Sequence, residues 1–149
     1  CARAAEVGVD GLILPDVPFE EKEEFAGPCR AHGMDLISMI APTSEERIDT
    51  IARDAEGFIY CVSSLGVTGT RSSITTDLDS IVARICAVTD TPIAIGFGIS
   101  NPEQAAIMAA KSDGAIVGSA IVKIIAAEGE NAVLAVGEFA RKMVEAVRA

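Results

Sequence analysis

The chain has 149 residues, of which 50% are hydrophobic and only 4% aromatic, with a formal net charge of -10. That length fits one domain, residues 1–149, with a real core, and an aliphatic, aromatic-poor interior suits alternating helices and parallel strands. The acidic balance, without any basic block, excludes nucleic-acid binding through the phosphate backbone, and no apolar run reaches the length of a membrane span.

Residues 2–6 are helix-like and break at Gly8. Residues 11–14 then read as a short buried strand closed by Pro15-Asp16-Val17-Pro18. Asp16 stands at the C-terminal end of that strand, the working face of a parallel barrel. It is open to two readings: contact with a substrate or partner, or a turn aspartate bonding its own backbone. Residues 20–31 read as a helix whose first turns are crowded with Glu20, Glu21, Glu23 and Glu24, a solvated face that favours the helix dipole. His32-Gly33 has the form of a helix C-terminus, and the histidine is assigned no chemistry.

Residues 36–40 form the next expected strand, and a helix follows to about residue 55 with Ser44 as its expected cap. Residues 57–62 are a third strand, in which Tyr60 either presents its hydroxyl over a site or simply packs. Strand spacing then becomes informative. It is 24 positions from Leu12 to Leu36, 22 from Leu36 to Phe58, 35 from Phe58 to Ile93 and 22 again from Ile93 to Ala115. The excess falls in residues 63–76, far beyond the usual loop of ~2–6 residues between a strand and the following helix. A long loop on the working face of a barrel suits a lid, with Gly66 and Gly69 as hinges, Thr68 as a hydroxyl and Arg71 as a cation for an anionic substrate. A disordered surface loop is the alternative.

Residues 77–88 read as a helix, after which two glycine-rich turns organise the rest of the chain. A strand at residues 92–95 runs into Gly96-Phe97-Gly98, and one at residues 115–117 runs into Gly118-Ser119. Between them Ser100-Asn101-Pro102-Glu103 has the form of a helix start. Glycine lets the backbone approach a ligand, and free N–H groups at a helix start attract an anion. Two such turns on neighbouring parallel strands aim at one spot, the usual phosphate site after strands seven and eight of a (β/α)8 barrel; plain turn chemistry is the alternative reading of each turn taken alone. A short helix at residues 120–127 and an amphipathic one at residues 130–149 close the chain. Val133, Val136, Ala140, Met143 and Val147 are expected to face the core.

Five strands, each followed by a helix, make an α/β fold that amounts to a partial (β/α)8 TIM barrel lacking roughly three units. Its open edges and uncovered inner face favour self-association. Cys1, Cys29, Cys61 and Cys86 lack the paired spacing of zinc or redox sites and read as reduced, mostly buried thiols of a cytosolic protein; no metal is expected. The absence of a starting methionine suggests a piece of a longer protein.

Leu14-Pro15-Asp16-Val17-Pro18, Tyr60, Gly66-Val67-Thr68-Gly69, Gly96-Phe97-Gly98-Ile99-Ser100 with Pro102-Glu103-Gln104, and Gly118-Ser119-Ala120-Ile121-Val122-Lys123 together closely resemble the tryptophan synthase alpha chain. The likeness runs over essentially the whole chain and implies the C-terminal three fifths of that barrel, strands 4–8. It implies a lyase that cleaves indole-3-glycerol phosphate to indole and glyceraldehyde 3-phosphate in the cytoplasm, without metal or organic cofactor. Indole then passes to a beta chain that carries pyridoxal phosphate. By the resemblance, Gly69, Gly98, Gly118 and Ser119 hold the phosphate through backbone groups, and Thr68 helps close the lid. Tyr60 and Phe97 line the pocket, and Asp16 and Pro18 lie toward the beta chain. The family's acid/base pair, a glutamate and an aspartate, falls ahead of Cys1, so the chain alone is expected to be inactive. Two other readings stay open: another phosphate-binding barrel, such as a sugar-phosphate isomerase, or a non-catalytic half barrel kept for assembly or phosphate binding. The Gly-Val-Thr-Gly segment separates the first of these from the lyase.

Overall fold

The computed structural model describes residues 1–63, 74–96 and 98–149. Gly66, Thr68, Gly69, Arg71 and Phe97 therefore lie outside the described residues. Five strands, β1 (Gly11–Ile13), β2 (Asp35–Ile40), β3 (Ile59–Val62), β4 (Ile93–Gly96) and β5 (Gly114–Ile116), form one sheet in chain order. Every neighbouring pair is parallel. Parallel neighbours require crossovers, and these are supplied by α2 (Glu23–Ala31), α3 (Ile48–Arg53), α4 (Ile74–Cys86) and α5 (Pro102–Ala109). A short α1 (Ala2–Glu6) precedes β1, while α6 (Ser119–Glu128) and α7 (Ala132–Arg148) follow β5.

Register sorts the strand residues into two faces, because alternate residues of a strand point to opposite sides. On one face, Ile40, Cys61 and Ile95 stand side by side, as do Ile59 and Ile93. All are buried beneath Ile48 and Ile51 of α3, Leu78, Ile81 and Ile85 of α4, Ala105 and Met108 of α5 and Met143 of α7. Each fully buried isoleucine contributes ~1.5–3 kcal/mol, so this face carries most of the fold's hydrophobic stabilisation. The opposite face presents Ile13, Ile37, Met39, Tyr60, Val62, Ala94, Gly96 and Ile116, aligned by the same register. No helix of the described residues covers it, and Ile13 remains 43% exposed. A second, smaller cluster of Ala26, Cys29, Met34 and Leu36 lies under α1, with Ala4 and Ala5 packed against it.

Helix ends follow local chemistry where the sequence is explicit. Asn101 caps α5, its side chain accepting from Gln104 N at 2.9 Å, with Pro102 in the first turn. At the end of α2, Gly33 has φ +69°, Gly33 N donates to Arg30 O and Met34 N to Cys29 O, the Schellman arrangement.

Five expectations need correction. Ser44 does not cap α3. Its hydroxyl accepts from Ala41 N at 3.3 Å and closes a 3-10 turn, Pro42–Arg47, so α3 starts only at Ile48. The helix expected over residues 20–31 is a 3-10 turn, Phe19–Glu21, followed by α2, and Ile74 to Thr76, assigned to the loop, already belong to α4. On α7 the expected stripe holds only in its middle: Met143 is buried and Val136 and Ala140 are half-buried, with Ala132 buried and Phe139 packed against the core beside them, whereas Val133 is 80% exposed and Val147 is also exposed. Finally, the thiols divide evenly, with Cys29 and Cys61 buried and Cys1 and Cys86 exposed.

The glutamates before and within α2 are solvent-facing, as expected, but they are not idle. Glu20 accepts from Arg47 at 2.8 Å, and Arg30 links Glu23 at 2.7 Å to Glu56 at 3.2 Å. The Arg47 hydrogen bond lowers the Glu20 pKa below the ordinary carboxylate value. No helix of the described residues is long and apolar enough to cross a membrane.

Candidate functional site

The C-terminal ends of β3, β4 and β5 open into one cavity of about 720 Å³. Tyr60 comes to it from the uncovered face of the sheet, Gly98, Ile99 and Ser100 from the turn after β4, and Ile116, Gly118, Ser119, Ala120 and Lys123 from the end of β5 and the start of α6. Four residues singled out in the sequence, Tyr60, Gly98, Gly118 and Ser119, therefore share a wall.

The two helix starts beside the cavity differ electrostatically. The first turn of α5 is closed by its own residues: Asn101 takes Gln104 N, and Gln104 Oε1 takes Ser100 N at 2.9 Å and Ser100 Oγ at 3.1 Å. At α6 no side chain caps the helix, and its first internal bonds run from Ile121 and Val122 to Gly118 O. The N–H groups of Ser119 and Ala120 thus have no acceptor among the described residues, and the helix dipole adds partial positive charge there. An anion at α6 would accept those hydrogen bonds. Gly98, with φ +81°, adopts a backbone that a side chain disfavours, which keeps the facing wall low.

Tyr60 lies across β4. A Cβ on Gly96 would stand 2.4 Å from Tyr60 Oη and 2.7 Å from Cζ, so the absence of a side chain at Gly96 is what admits the ring. Burial raises the Tyr60 pKa above its ordinary value of 10.0, keeping the hydroxyl protonated and able to donate near neutrality. Beneath, Ser63 fixes the end of β4, its N–H and Oγ both donating to Gly96 O, at 2.8 and 3.0 Å.

Lys123 was assigned no role in the sequence, yet it lines the cavity. The signal was present in the spacing, since Ser119 and Lys123 are four apart and share one helix face. No carboxylate pairs with Lys123 among the described residues, so its charge is available to a ligand.

Asp16 is not brought to this cavity. It is exposed on the turn after β1, where Val17 N donates to Leu14 O at 3.2 Å. Pro18 lines a separate cavity of about 260 Å³ with Leu14, Phe19, Met39 and Arg47. Lys22, also in that lining, sits 5.0 Å above the Phe19 ring and pairs with Asp54. Cys61 faces the helices, and burial pushes its thiol up to about 11, which leaves it unreactive. Among the described residues no three His, Cys, Asp or Glu side chains gather to hold a metal ion.

The model of the family described as tryptophan synthase alpha chain matches residues 1–148. The chain is 46% identical over 147 residues to the tryptophan synthase alpha chain of Lacticaseibacillus casei, covering 99% of this chain and 55% of that one. It is 50% identical over 142 residues to that of Lactiplantibacillus plantarum, covering 95% and 53%. Among solved structures, tryptophan synthase subunit alpha from Campylobacter jejuni superposes with a TM-score of 0.79 at 33% identity, over 97% of this chain and 55% of that one. A chain of the tryptophan synthase α2β2 complex from Pyrococcus furiosus gives 0.81 at 31% identity, over 97% and 59%. The chain thus spans about half the length of the relatives it matches. Over that span the parallel five-stranded sheet with its alternating helices agrees with the sequence likeness, and the chain belongs to the tryptophan synthase alpha chain family.

Proposed function

We propose that the cavity at the ends of β3, β4 and β5 is the phosphate end of a site for indole-3-glycerol phosphate. The chain is then part of a lyase that releases indole and glyceraldehyde 3-phosphate in cytoplasmic tryptophan biosynthesis. The observation that carries this is the uncapped start of α6 opening into the same cavity as Gly98 and Tyr60. Ser119 and Ala120 N–H groups bind phosphate oxygens, Gly98 lets the group approach closely, and Lys123 offsets its charge. Tyr60 supports the organic part of the substrate from the sheet. Gly69 completes the phosphate cradle and Phe97 flanks the ligand, while Gly66, Thr68 and Arg71 belong to the closing lid.

Retro-aldol cleavage also needs groups that move protons, and general acid/base catalysis is typically worth ~10²–10⁴-fold. Asp16 lies away from the cavity, and no other carboxylate among the described residues lines it. The 149-residue chain by itself therefore binds the phosphate half and turns over substrate negligibly. The reaction requires no cofactor on this chain. The partner we propose is a tryptophan synthase beta chain carrying pyridoxal phosphate, approached from the side of Asp16 and Pro18. Calorimetric titration with glycerol 3-phosphate, the half of the substrate that this cavity fits, tests the reading. Saturable binding that is weakened by Lys123→Ala and competed by inorganic phosphate supports it; heats no larger than those of glycerol alone would refute it.

A further inference from the structure

We propose that Cys1 and Cys29 form a thiol modification site, in which exposed Cys1 captures a low-molecular-weight disulfide and buried Cys29 resolves it to an internal disulfide. The two sulfurs lie 3.8 Å apart although 28 residues separate them in the chain. They are held together by packing: Ala4 and Ala5 of α1 rest on the cluster formed by Ala26, Cys29, Met34 and Leu36. Cys1 directly precedes α1, and Cys29 stands in the last turn of α2 on its buried side.

Their exposures set the order of events. In the 149-residue chain Cys29 is 0% exposed and no reagent reaches it from solvent, whereas Cys1 is exposed. The Cys1 thiolate attacks one sulfur of a small disulfide, forming a mixed disulfide and expelling one thiolate of the reagent. Cys29 then gives up its proton to water, and its thiolate attacks the Cys1 sulfur. The Cys1–Cys29 bond forms as the second reagent thiolate leaves. The two protein thiols are oxidised, and the reagent disulfide is reduced to two thiols. An accessible cysteine beside a resolving one is the arrangement of reversible thiol sensors, and the bond would fasten α1 onto α2. Cys61 and Cys86 have no such neighbour: no sulfur contact of either occurs among the described residues.

The test is to equilibrate the 149-residue protein with oxidised and reduced glutathione at a series of ratios, quench with acid, alkylate, and map cysteines by mass spectrometry. The expected result is a Cys1–Cys29 linked peptide two hydrogens lighter than the reduced pair, with Cys86 alkylated or glutathionylated, and full reversal by dithiothreitol. Cys29→Ser should stop the reaction at the Cys1–glutathione mixed disulfide. Because that variant alters a buried position, the wild-type map decides independently. A stable Cys1–glutathione adduct in wild type, or Cys1 and Cys29 both alkylated at every ratio, would overturn the proposal.

Discussion

Gly96→Ala is the substitution for which the structure gives the sharpest expectation. The new methyl carbon would stand 2.4 Å from Tyr60 Oη, 2.7 Å from Cζ and 2.9 Å from Cε1, so either the strand or the ring must move. The strand is held on both sides, with Val62 and Ile116 in register beside Gly96 and two Ser63 donors on its carbonyl. The ring is only half-buried, so it gives way and swings off β4. Overpacking costs ~1–3 kcal/mol, and stripping ~100 Å² of ring surface from its contacts costs about 2.5 kcal/mol, so both routes give the same range. With a urea slope of ~2 kcal/mol per molar, the unfolding midpoint should fall by about 1 M. Tyr60→Ala alone costs ~1–3 kcal/mol for a half-buried aromatic, less than the penalty for a fully buried one. In that background the methyl at position 96 meets no ring, so the double variant should be no less stable than Tyr60→Ala, a coupling of ~1–3 kcal/mol. Urea melts of the four proteins measure this. If Gly96→Ala keeps the wild-type midpoint, or loses as much stability without the tyrosine as with it, the account of Tyr60 is wrong.

Other outcomes follow from the same structure. The Cys61 thiol, pushed from 9.0 up to about 11, holds its proton more tightly when folded, so its contribution is intact below pH 9 and lost as pH rises toward 11. The loss should amount to about 2–3 kcal/mol, and Cys61→Val should flatten that alkaline slope in melts followed by circular dichroism. Asn101→Ala removes the acceptor for Gln104 N and should cost ~1 kcal/mol in urea unfolding; an unchanged midpoint would mean the cap contributes nothing. Ser63→Ala deletes one of the two donors to Gly96 O and should cost ~1 kcal/mol, with a matching loss of affinity for glycerol 3-phosphate as β4 loosens. The sheet face of Ile13, Met39, Tyr60 and Val62 has no helix over it among the described residues, so the chain should self-associate; a monodisperse monomer in light scattering would contradict this.

What was legible in the sequence was legible for local reasons. Ile93 to Ile95 is apolar throughout, and Leu36 to Ile40 is broken only by Ser38, because one side meets helices and the other a partly covered face. Asn101-Pro102 and His32-Gly33 announce helix ends because the capping chemistry is contained in a few adjacent residues. Ser44 misleads because Ser-Glu-Glu-Arg is an equally good helix start and 3-10 turn. The choice falls to the bond between Ser44 Oγ and Ala41 N, which spacing does not reveal. On α7 the segment Ala132-Val133-Leu134-Ala135-Val136 is apolar on every side, so periodicity cannot fix which stripe turns inward; Phe139 and Met143 do so by packing. Cys1 meets Cys29 only through the docking of α1, a tertiary event with no local signature. The difference between the helix starts at α5 and α6 was likewise hidden, since it depends on where the Gln104 side chain folds back.

The central claim is that the open start of α6 is where phosphate binds. Its most direct test is a titration of ¹⁵N-labelled protein with glycerol 3-phosphate, following backbone amide resonances. The account predicts saturable downfield shifts concentrated at Ser119 and Ala120, smaller ones at Gly98 and Gly118, and little change in the first turn of α5. Shifts centred on α5, or spread over the surface without saturation, would contradict it.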